Sequence, residues 1–553
     1  IVVPMPEYGP DELLVRHDAC GHCFSDIKVI QAGQAHPRIY RDMKADPIVL
    51  GHEVSLTVVG VGDNLKNEYR VGDRFIVQAD IFVNGVGYAY GYEIQGGLSE
   101  YTVIDQRVLN GDHGNYLIRV QPGTGYAEAA LTEPWACVIA AYQLKYRTMI
   151  RPKGTLWVIG AGPADHLDTK KLTISEGFDA RSHPAKLLLT NVPAPFDAWL
   201  RSRAAELGVE VVDIPELPDP ATVETDDSPV SPAEVSGSGP GVDDIVVLGA
   251  DPEVIERASP NLASYGTLAI IDDQPMARPV ALDVGRIHYN RWVYIGTTDT
   301  DVAKAYSTTP IRSTLKLGGS AWFVGAGGPM GRMHVQRAIQ SADRPGTIVC
   351  TDISDDRLAD LCTSFSAEAS SMGIEFICLN PVNKEVYEAQ MARFRQSGFD
   401  DIVVLAPVPA LIADSATYLA PEGVMNIFAG VARGKYAVMD LSSAYLGQTR
   451  IIGHSASTIE NMTFMLEQAE SGQLSPNRSV AAIGSLEAAW DGLQAVAKTT
   501  FAGKIVIYPQ LQPLPLTGIE DLKEVLPAVH AKMRNGTEWT NEAEAELLRL
   551  LSK

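Results

Sequence analysis

The sequence predicts an α/β protein in which a β-rich amino-terminal domain precedes two tandem domains of the doubly wound, parallel-sheet class. Three observations support this prediction. Strand-like runs such as Glu12–Arg16 and Val54–Gly60 occur early in the chain, a long segment is repeated later, and each copy begins with an apolar run and a glycine-rich turn. At 553 residues the chain is far larger than one hydrophobic core, so roughly three or four domains are expected.

The repeat is visible in two pairs of segments. Gly154–Pro163 is echoed by Gly319–Pro329, and Gly241–Leu248 is echoed by Gly398–Leu405. The offset is 325 − 160 = 165 at the first pair and 398 − 241 = 157 at the second, so the first copy carries about eight extra residues between them. Two tandem domains of one fold are the simplest explanation.

The later copy has the features of a dinucleotide-binding turn. Its apolar strand leads into a glycine-rich turn and a helix-compatible stretch, which is the beginning of a Rossmann βαβ unit. Glycines there allow a tight turn and let backbone N–H groups and the helix N-terminus approach a pyrophosphate. The candidate cofactor-binding residues of this turn are Gly325, Gly327, Gly328, Pro329, Met330 and Gly331.

An acidic residue ends the next strand of this copy. Asp352 follows the run Thr347–Thr351 and lies 352 − 331 = 21 residues after Gly331, about where a partner for a ribose 2′-hydroxyl is expected. Arg357, a little further on, is a further cofactor-binding candidate. Because a carboxylate would repel a 2′-phosphate, the sequence favours NAD over NADP.

The earlier copy lacks part of this pattern. It keeps Gly160 and Gly162 but has Asp165 where a third glycine would stand, and its next apolar run ends at Asn191 without an acid. A negative charge close to a pyrophosphate is unfavourable. We therefore expect a degenerate nucleotide fold that is retained for structure.

The two copies are expected to pair with each other inside one chain. The candidate edge segments are Arg291–Gly296 and Thr449–His454. Pairing would cover a sheet edge that otherwise invites association. The expected assembly is an intramolecular Rossmann pseudo-dimer that holds one zinc and one NAD, and a further homo-oligomer stays open.

Four side chains in the first quarter of the chain have the chemistry of a catalytic zinc site. Cys23 lies in a turn-rich segment after a strand, His52 and Glu53 stand at a strand entrance, and Glu133 precedes a proline. A catalytic zinc takes about three ligands of thiolate, imidazole and carboxylate type and leaves one position open. The sequence leaves open which glutamate binds the metal directly.

Each of these residues also has an ordinary structural explanation. Cys20 and Cys23 could be a redox pair or half of a structural zinc site, although no second such pair occurs. His52 could be a hydrogen-bonded turn histidine. Glu133 could cap a helix, since a carboxylate favours a helix N-terminus.

The order of the motifs resembles that of the zinc-dependent medium-chain alcohol and polyol dehydrogenases of the medium-chain dehydrogenase/reductase superfamily. A glutamate at position 133 is similar to the sorbitol dehydrogenase branch, and Glu133–Ile139 with Gly325–Gly331 look most like L-sorbose 1-phosphate reductase and its relatives. The motifs are the Cys23-x-Ser25-Asp26 segment, Gly51–Glu53, Val71–Arg74, Gly96–Tyr101 and Glu133–Pro134.

The resemblance implies a fold and a chemistry. It implies a GroES-like catalytic domain, zinc polarising an alcohol oxygen, and hydride transfer to NAD. It assigns catalytic roles to Cys23, His52 and Glu53 through the metal, and to Ser25 as the hydroxyl that passes the proton, with a turn-capping hydroxyl as the alternative. Where some relatives have a relay histidine this chain has Lys28, which leaves the outer proton path open. Many members of the resembled family bind a second, structural zinc through four closely spaced cysteines after the catalytic histidine. Because residues 75 to 130 contain no cysteine, this structural zinc is expected to be absent.

The predicted function is therefore zinc-dependent, NAD(H)-linked interconversion of a secondary alcohol of a polyol, sugar or sugar phosphate with its ketone. The alternatives are a zinc-free quinone or enoyl reductase of the same superfamily and a non-catalytic NAD-binding protein. The cationic loop Gln34–Lys44 could hold a substrate phosphate or could form salt bridges with nearby acids. The candidate substrate residues are Lys28, Arg38, Arg41 and Lys44.

Composition excludes other classes of partner. Lys and Arg number 45 against 68 Asp and Glu, a net charge of −23, which argues against nucleic acid binding. Residues 213 to 244 are rich in proline, serine and acids and are expected to form an exposed loop. No apolar stretch approaches the roughly 18 residues of a membrane span, nothing at Ile1 resembles a signal peptide, and six cysteines with a required thiolate indicate a reducing compartment. We expect a cytoplasmic protein without a membrane partner.

The expected domain limits follow these motifs. Residues 1–150 form the first part of the GroES-like zinc domain, 151–310 the degenerate Rossmann repeat and 311–460 the NAD-binding Rossmann domain. Residues 461–553 return to the catalytic domain and add a helical extension, for which the apolar spacing of Ile519–Leu526 and Glu542–Leu550 predicts two helices.

Overall fold

The computed structural model describes residues 3–161, 168–219, 241–307, 312–454 and 456–553. Gly162 and Asp165, from the glycine turn of the first copy, lie outside these residues, as does most of the acidic stretch 213–244 that was predicted to be an exposed loop. Within them the chain forms a β-rich domain and one long, mostly parallel sheet, so the predicted α/β class is confirmed. Among the described helices, each is too short or too polar to traverse a lipid bilayer.

The amino-terminal domain is built on an eight-stranded sheet. The strands from the first part of the chain are β1 Leu13–Gly21, β2 Glu53–Val61, β3 Arg74–Val77, β4 Asp80–Val83, β5 Val86–Ala89, β6 Tyr101–Ile104 and β7 Leu117–Arg119. The carboxy-terminal part adds β22 Val480–Ser485, β23 Lys504–Tyr508 and β24 Thr517–Gly518. The strand order is β24-β22-β23-β1-β2-β3-β7, with β6 paired to β1, and β4 and β5 form a separate hairpin. The helices are α1 Phe24–Ala32, α2 Gln106–Leu109, α3 Tyr126–Ala130 and α4 Thr132–Ala140.

The first Rossmann copy follows. Its strands are β8 Thr155–Gly160, β9 Lys186–Thr190, β10 Glu210–Asp213, β11 Val242–Leu248, β12 Leu262–Ile271, β13 Val280–Asp283 and β14 Val293–Thr297. Its helices are α5 Ala194–Leu207, α6 Pro252–Ala258, α7 Val284–Tyr289 and α8 Ala303–Ser307. Residues 168–185 contain no helix, which differs from the helix-compatible stretch expected after the first glycine turn.

The second copy has the complete crossover pattern. Its strands are β15 Ser320–Val324, β16 Thr347–Thr351, β17 Glu375–Leu379, β18 Phe399–Val404, β19 Leu419–Ile427, β20 Tyr436–Met439 and β21 Arg450–Gly453. Its helices are α9 Pro329–Gln340, α10 Asp355–Ser371, α11 Lys384–Ser397, α12 Pro409–Ala416 and α13 Ser442–Leu446.

The two copies share one twelve-stranded sheet. The order β10-β9-β8-β11-β12-β14 continues as β21-β19-β18-β15-β16-β17, so the second half mirrors the first. Strands β14 and β21 pair antiparallel through Tyr294 and Ile451, within the two segments offered for edge pairing. A second link is the antiparallel ribbon of β13 and β20. The sheet edges that tandem copies would otherwise expose are therefore covered by each other.

The chain then returns to the amino-terminal domain. This part contributes β22, β23 and β24, and its helices are α14 Ile459–Glu470, α15 Ala489–Ala497, α16 Leu522–Val525, α17 Pro527–His530 and α18 Asn541–Leu551. Two tail helices were expected, and the structure has three. In place of the first expected helix, Ile519–Leu526, it forms the short helices α16 and α17, which are separated at Leu526 because Pro527 lacks an N–H and restricts the residue before it. Glu544 of α18 accepts hydrogen bonds from the backbone of α3, which holds the tail on the domain.

Candidate active site

Three strand ends bring the predicted metal residues together. Gly21, at the end of β1, pairs with Glu53 at the start of β2 and with Val506 of β23. The chain leaves β1, presents Cys23 and enters α1, while His52 and Glu53 arrive from the neighbouring strand. A side chain at Gly21 would collide with the Glu53 carboxylate, so a glycine is required for this approach.

Cys23, His52 and Glu53 form one cluster. One ligand atom from each lies within 4.8 Å of the other two. The Cys23 thiol is partly exposed, whereas His52 and Glu53 are buried. A tetrahedral ion with bonds of roughly 2.0–2.3 Å holds its ligand atoms about 3.3–3.8 Å apart, a spacing that lies within this limit. The sulfur, nitrogen and oxygen donors, with one exposed side, therefore fit a zinc ion that keeps an open position.

Asp26 supports this cluster from behind. Its carboxylate is fully buried, accepts a hydrogen bond from the Cys23 N–H at 3.0 Å and lies 3.4 Å from His52 Nδ1. Burial opposes protonation of His52, but the Asp26 carboxylate outweighs it and raises the pKa of that imidazole well above its usual value. A carboxylate at Nδ1 orients the ring and leaves Nε2 for a cation.

Glu133 lies near this cluster but is not one of its three members. It stands in the first turn of α4. Burial raises the pKa of Glu133 to about 7, with Glu53 raising and His52 lowering it. The structure thus brings Cys23, His52 and Glu53 into one group and leaves Glu133 as an adjacent, easily protonated carboxyl.

Glu53 has a cationic partner that the sequence did not reveal. Lys504, the first residue of β23, donates to Glu53 and, at 2.7 Å, to the carbonyl of His22. Both side chains are almost completely buried. The only sequence signal was a lysine at the head of the apolar run Lys504–Tyr508.

Tyr92, which ends the tyrosine- and glycine-rich stretch Gly85–Tyr92, packs against the imidazole of His52. Tyr92 stacks on His52 with ring centroids 5.8 Å apart and on His36 at 5.2 Å. Ser25 is partly exposed in the first turn of α1, two residues after Cys23. The position of the hydroxyl next to the thiolate suits the predicted proton transfer, which stays a prediction.

The cationic loop has protein partners. Arg38 pairs with Asp80, and Arg41 pairs with Asp46 at 2.9 Å and with Glu93 at 3.3 Å. Lys44 is exposed, and Lys28 instead donates to a tyrosine of the first Rossmann copy. Arg38 and Arg41 therefore form salt bridges with nearby acids, which was the alternative to phosphate binding.

The second Rossmann copy forms the predicted turn. Gly325 follows β15 with a φ of +83°, a conformation that favours glycine. The Gly327 N–H donates to Asp352 Oδ2 at 3.0 Å, and a Cβ on Gly327 would lie 2.8 Å from that oxygen. Arg357 approaches Asp352 at 3.7 Å.

The helix after this turn is placed for an anionic ligand. Gly328 precedes α9 without a side-chain cap, so the first N–H groups of the helix are open to a ligand. A Cβ on Gly328 would meet nothing within 4 Å, whereas one on Gly331 would lie 2.3 Å from the Ala326 carbonyl. Pro329 and Met330 form the first turn of α9. The space before the helix therefore fits a dinucleotide pyrophosphate.

Comparison with known proteins agrees with this geometry. Residues 9–110 match the model of the alcohol dehydrogenase GroES-like domain. The chain is 23% identical over 98% of its length to mannitol-1-phosphate 5-dehydrogenase of Aliivibrio fischeri, 93% of which is covered. It is 26% identical over 54% of its length to L-sorbose 1-phosphate reductase of Klebsiella pneumoniae, with 73% of that protein covered.

A solved structure shows the same fold. The crystal structure of 2R,3R-butanediol dehydrogenase from Bacillus subtilis superposes with a TM-score of 0.51 at 15% identity and covers 92% of this chain and 95% of its own. A GroES-like domain joined to a Rossmann sheet, with a thiolate, imidazole and carboxylate cluster, defines a class of dehydrogenases and reductases. The GroES-like domain and these likenesses support placing the chain in the medium-chain dehydrogenase/reductase superfamily.

Proposed function

We propose that the chain is a zinc-dependent, NAD(H)-linked oxidoreductase that interconverts a secondary alcohol of a polyol, sugar or sugar phosphate with its ketone. The observation that carries the proposal is the cluster of Cys23, His52 and Glu53 in the GroES-like domain. Named relatives that act on polyols and sugar phosphates support the substrate class. The glycine turn of the second copy supports a dinucleotide.

In this proposal each described residue has one task. When bound, zinc lowers the pKa of an alcohol oxygen and NAD takes up hydride from the adjacent carbon. Cys23, His52 and Glu53 would hold the metal, and Ser25 would pass the alcohol proton on, taking it up while its own hydroxyl proton is released toward solvent. Asp26 fixes the imidazole, and Lys504 neutralises part of the negative charge of the cluster. Asp352 accepts hydrogen bonds from the ribose hydroxyls at the far end of the cofactor.

The second copy alone is proposed to bind NAD. Its turn continues into α9, whereas residues 168–185 of the first copy contain no helix whose N-terminus could face a pyrophosphate. We therefore expect one zinc and one NAD per chain. A cofactor titration that gives two NADH per chain would contradict this part of the proposal.

The test combines metal analysis with turnover. Elemental analysis of the purified chain should give one zinc per chain, and NADH should form with at least one member of a panel of polyols and their phosphates. Cys23→Ser should lose the zinc and the activity, whereas Cys362→Ser, a thiol of α10, should keep both. Reduction of quinones or enones without zinc would favour the zinc-free reductase, and NADH binding without any turnover would favour a non-catalytic protein.

A further inference from the structure

Three parts of the chain meet around Lys28, which lies on α1, the helix that follows Cys23. Lys28 comes from α1 of the GroES-like domain, His288 and Tyr289 from α7 of the first copy, and Gly430 and Arg433 from the turn after β19 of the second copy. We refer to these five residues as the junction niche. The niche exists only because the two copies pair with each other.

The niche is held by direct contacts. The Lys28 ammonium donates to the Tyr289 hydroxyl at 3.2 Å and lies 5.9 Å from the centre of that ring. The Arg433 guanidinium covers the same ring at 5.1 Å. A Cβ added to Gly430 would lie 3.0 Å from both the Lys28 nitrogen and the Tyr289 oxygen. Glycine thus keeps this space open.

Lys28 has no acidic partner among the described residues, although the chain is strongly acidic. The net charge of the chain is −23, yet no carboxylate of the described residues lies within ion-pair distance of Lys28. Burial is the main cause that lowers the pKa of His288 to about 3, and Lys28, Arg291 and Arg433 make smaller contributions in the same direction. Two half-buried donors, one of them this cation, are suited to an anion.

The niche is also within reach of the reacting end of a substrate. Lys28 lies three residues after Ser25 on α1, so the two side chains share one face of the helix. It lies 28 − 23 = 5 positions after Cys23, which is about 7–8 Å along a helix axis. A short acyclic carbon chain spans that distance.

We propose that the junction niche binds the phosphate group of a polyol or sugar phosphate, with Lys28 and Tyr289 donating to it. This inference rests on the proposed function and names its substrate class. The first Rossmann copy then supplies a specificity-determining residue to the site, in addition to covering the sheet edge. In this proposal Lys28 recognises the phosphate, and Arg38 and Arg41 do not, because both arginines have carboxylate partners.

The competing role for Lys28 is proton transfer from Ser25. The two roles predict different kinetics. A phosphate-binding lysine affects KM for phosphorylated substrates, whereas a proton-transfer lysine changes kcat and its pH profile for every substrate. The comparison of a polyol with its phosphate therefore separates them.

The direct test is a titration of the zinc-loaded full chain with inorganic phosphate, followed by 31P NMR. Phosphate binding should weaken about tenfold or more in Lys28→Met and severalfold in Tyr289→Phe, since a charge-assisted hydrogen bond is lost. Lys66→Met, which removes an exposed charge of the same domain, should bind phosphate like the wild type. Equal phosphate binding in Lys28→Met and the wild type would overturn the proposal.

The kinetic arm uses matched substrates. In Lys28→Met, kcat/KM for the phosphorylated polyol should fall about tenfold more than kcat/KM for the unphosphorylated polyol, through a rise in KM, because only the phosphorylated substrate loses a charge-assisted contact. An equal loss of kcat on both substrates with a shifted pH profile would assign Lys28 to proton transfer and overturn the proposal. If no polyol or phosphate supports NADH formation in the wild type, the proposed function fails, and the phosphate titration still decides whether the niche binds this anion.

Discussion

Lys504 and Glu53 form a buried ion pair between strands that are 451 residues apart in sequence. The lysine begins β23, so the carboxy-terminal part of the chain completes the environment of the metal cluster. The two oxygens of Glu53 therefore have different surroundings. Oε1 accepts from Lys504, whereas Oε2 is buried without a hydrogen-bond partner. The second oxygen is the one suited to a cation.

The first prediction follows from this pair. Lys504→Met should leave a buried carboxylate without its cation and destabilise the catalytic domain by about 3–5 kcal/mol. Denaturant unfolding of the zinc-free protein measures the effect. The double variant Glu53→Gln/Lys504→Met should recover part of the loss, since no uncompensated charge remains. A single variant as stable as the wild type would show that the pair contributes little.

The second prediction concerns Asp26, which contacts both Cys23 and His52. Asp26→Asn keeps the size of the side chain but weakens the orientation of the imidazole, so zinc affinity should fall about 10–100-fold. Competition with a chromophoric chelator measures that affinity. Asp63→Asn, an exposed carboxylate paired with Lys66, is the control and should bind zinc like the wild type. Unchanged affinity in Asp26→Asn would assign Asp26 only to capping of α1.

The third prediction concerns the cofactor. Asp352→Asn should weaken NADH binding about tenfold and reduce the preference over NADPH, because the repulsion of a 2′-phosphate is removed. Fluorescence titration with both nucleotides measures the two affinities. Asp213→Asn, an exposed acid that ends β10 of the first copy, should leave both unchanged. A larger loss in the Asp213 variant would place the nucleotide in the first copy.

Much of the fold could be predicted because the repeat preserves physical contacts as well as letters. Trp157 donates to Thr190 at 2.9 Å in the first copy, and Trp322 donates to Thr351 at 3.0 Å in the second. The buried acid Asp244 pairs with Arg147 just as Asp401 pairs with Arg312. Apolar strands with glycine turns are local patterns, and a sequence displays them directly.

The rest depends on contacts between distant segments. Tyr289 meets Lys28 across 261 residues only after the two copies have paired, and neither residue carries a local signal of the other. Arg38 looked available for a substrate because its partner Asp80 lies 42 residues further along the chain, in β4. Asp26 stood inside the cysteine motif, yet its contact with His52 depends on the meeting of β1 and β2. Sequence patterns thus identified the donors of the cluster but not the residues that orient and neutralise them.

The fourth prediction concerns Asp400, which contacts the start of β15, the first strand of the second Rossmann copy. Asp400 accepts from the Ser320 N–H at 2.9 Å and from Lys316 at 2.6 Å. Burial raises the pKa of Asp400, but these donors outweigh it and hold the pKa below its usual value. A carboxyl with a depressed folded pKa stabilises the fold at neutral pH, and this stabilisation is lost as the pH falls through the folded pKa.

Asp400→Asn should therefore cost about 1–2 kcal/mol at neutral pH, and the difference from the wild type should shrink below about pH 4. Differential scanning calorimetry at neutral pH and in acid measures the transition of this domain. Asp414→Asn, an exposed acid of α12, should change little at either pH. A difference that stays constant or grows in acid would show that the Asp400 charge does not stabilise the fold, because an ionised carboxylate can contribute only where it remains ionised.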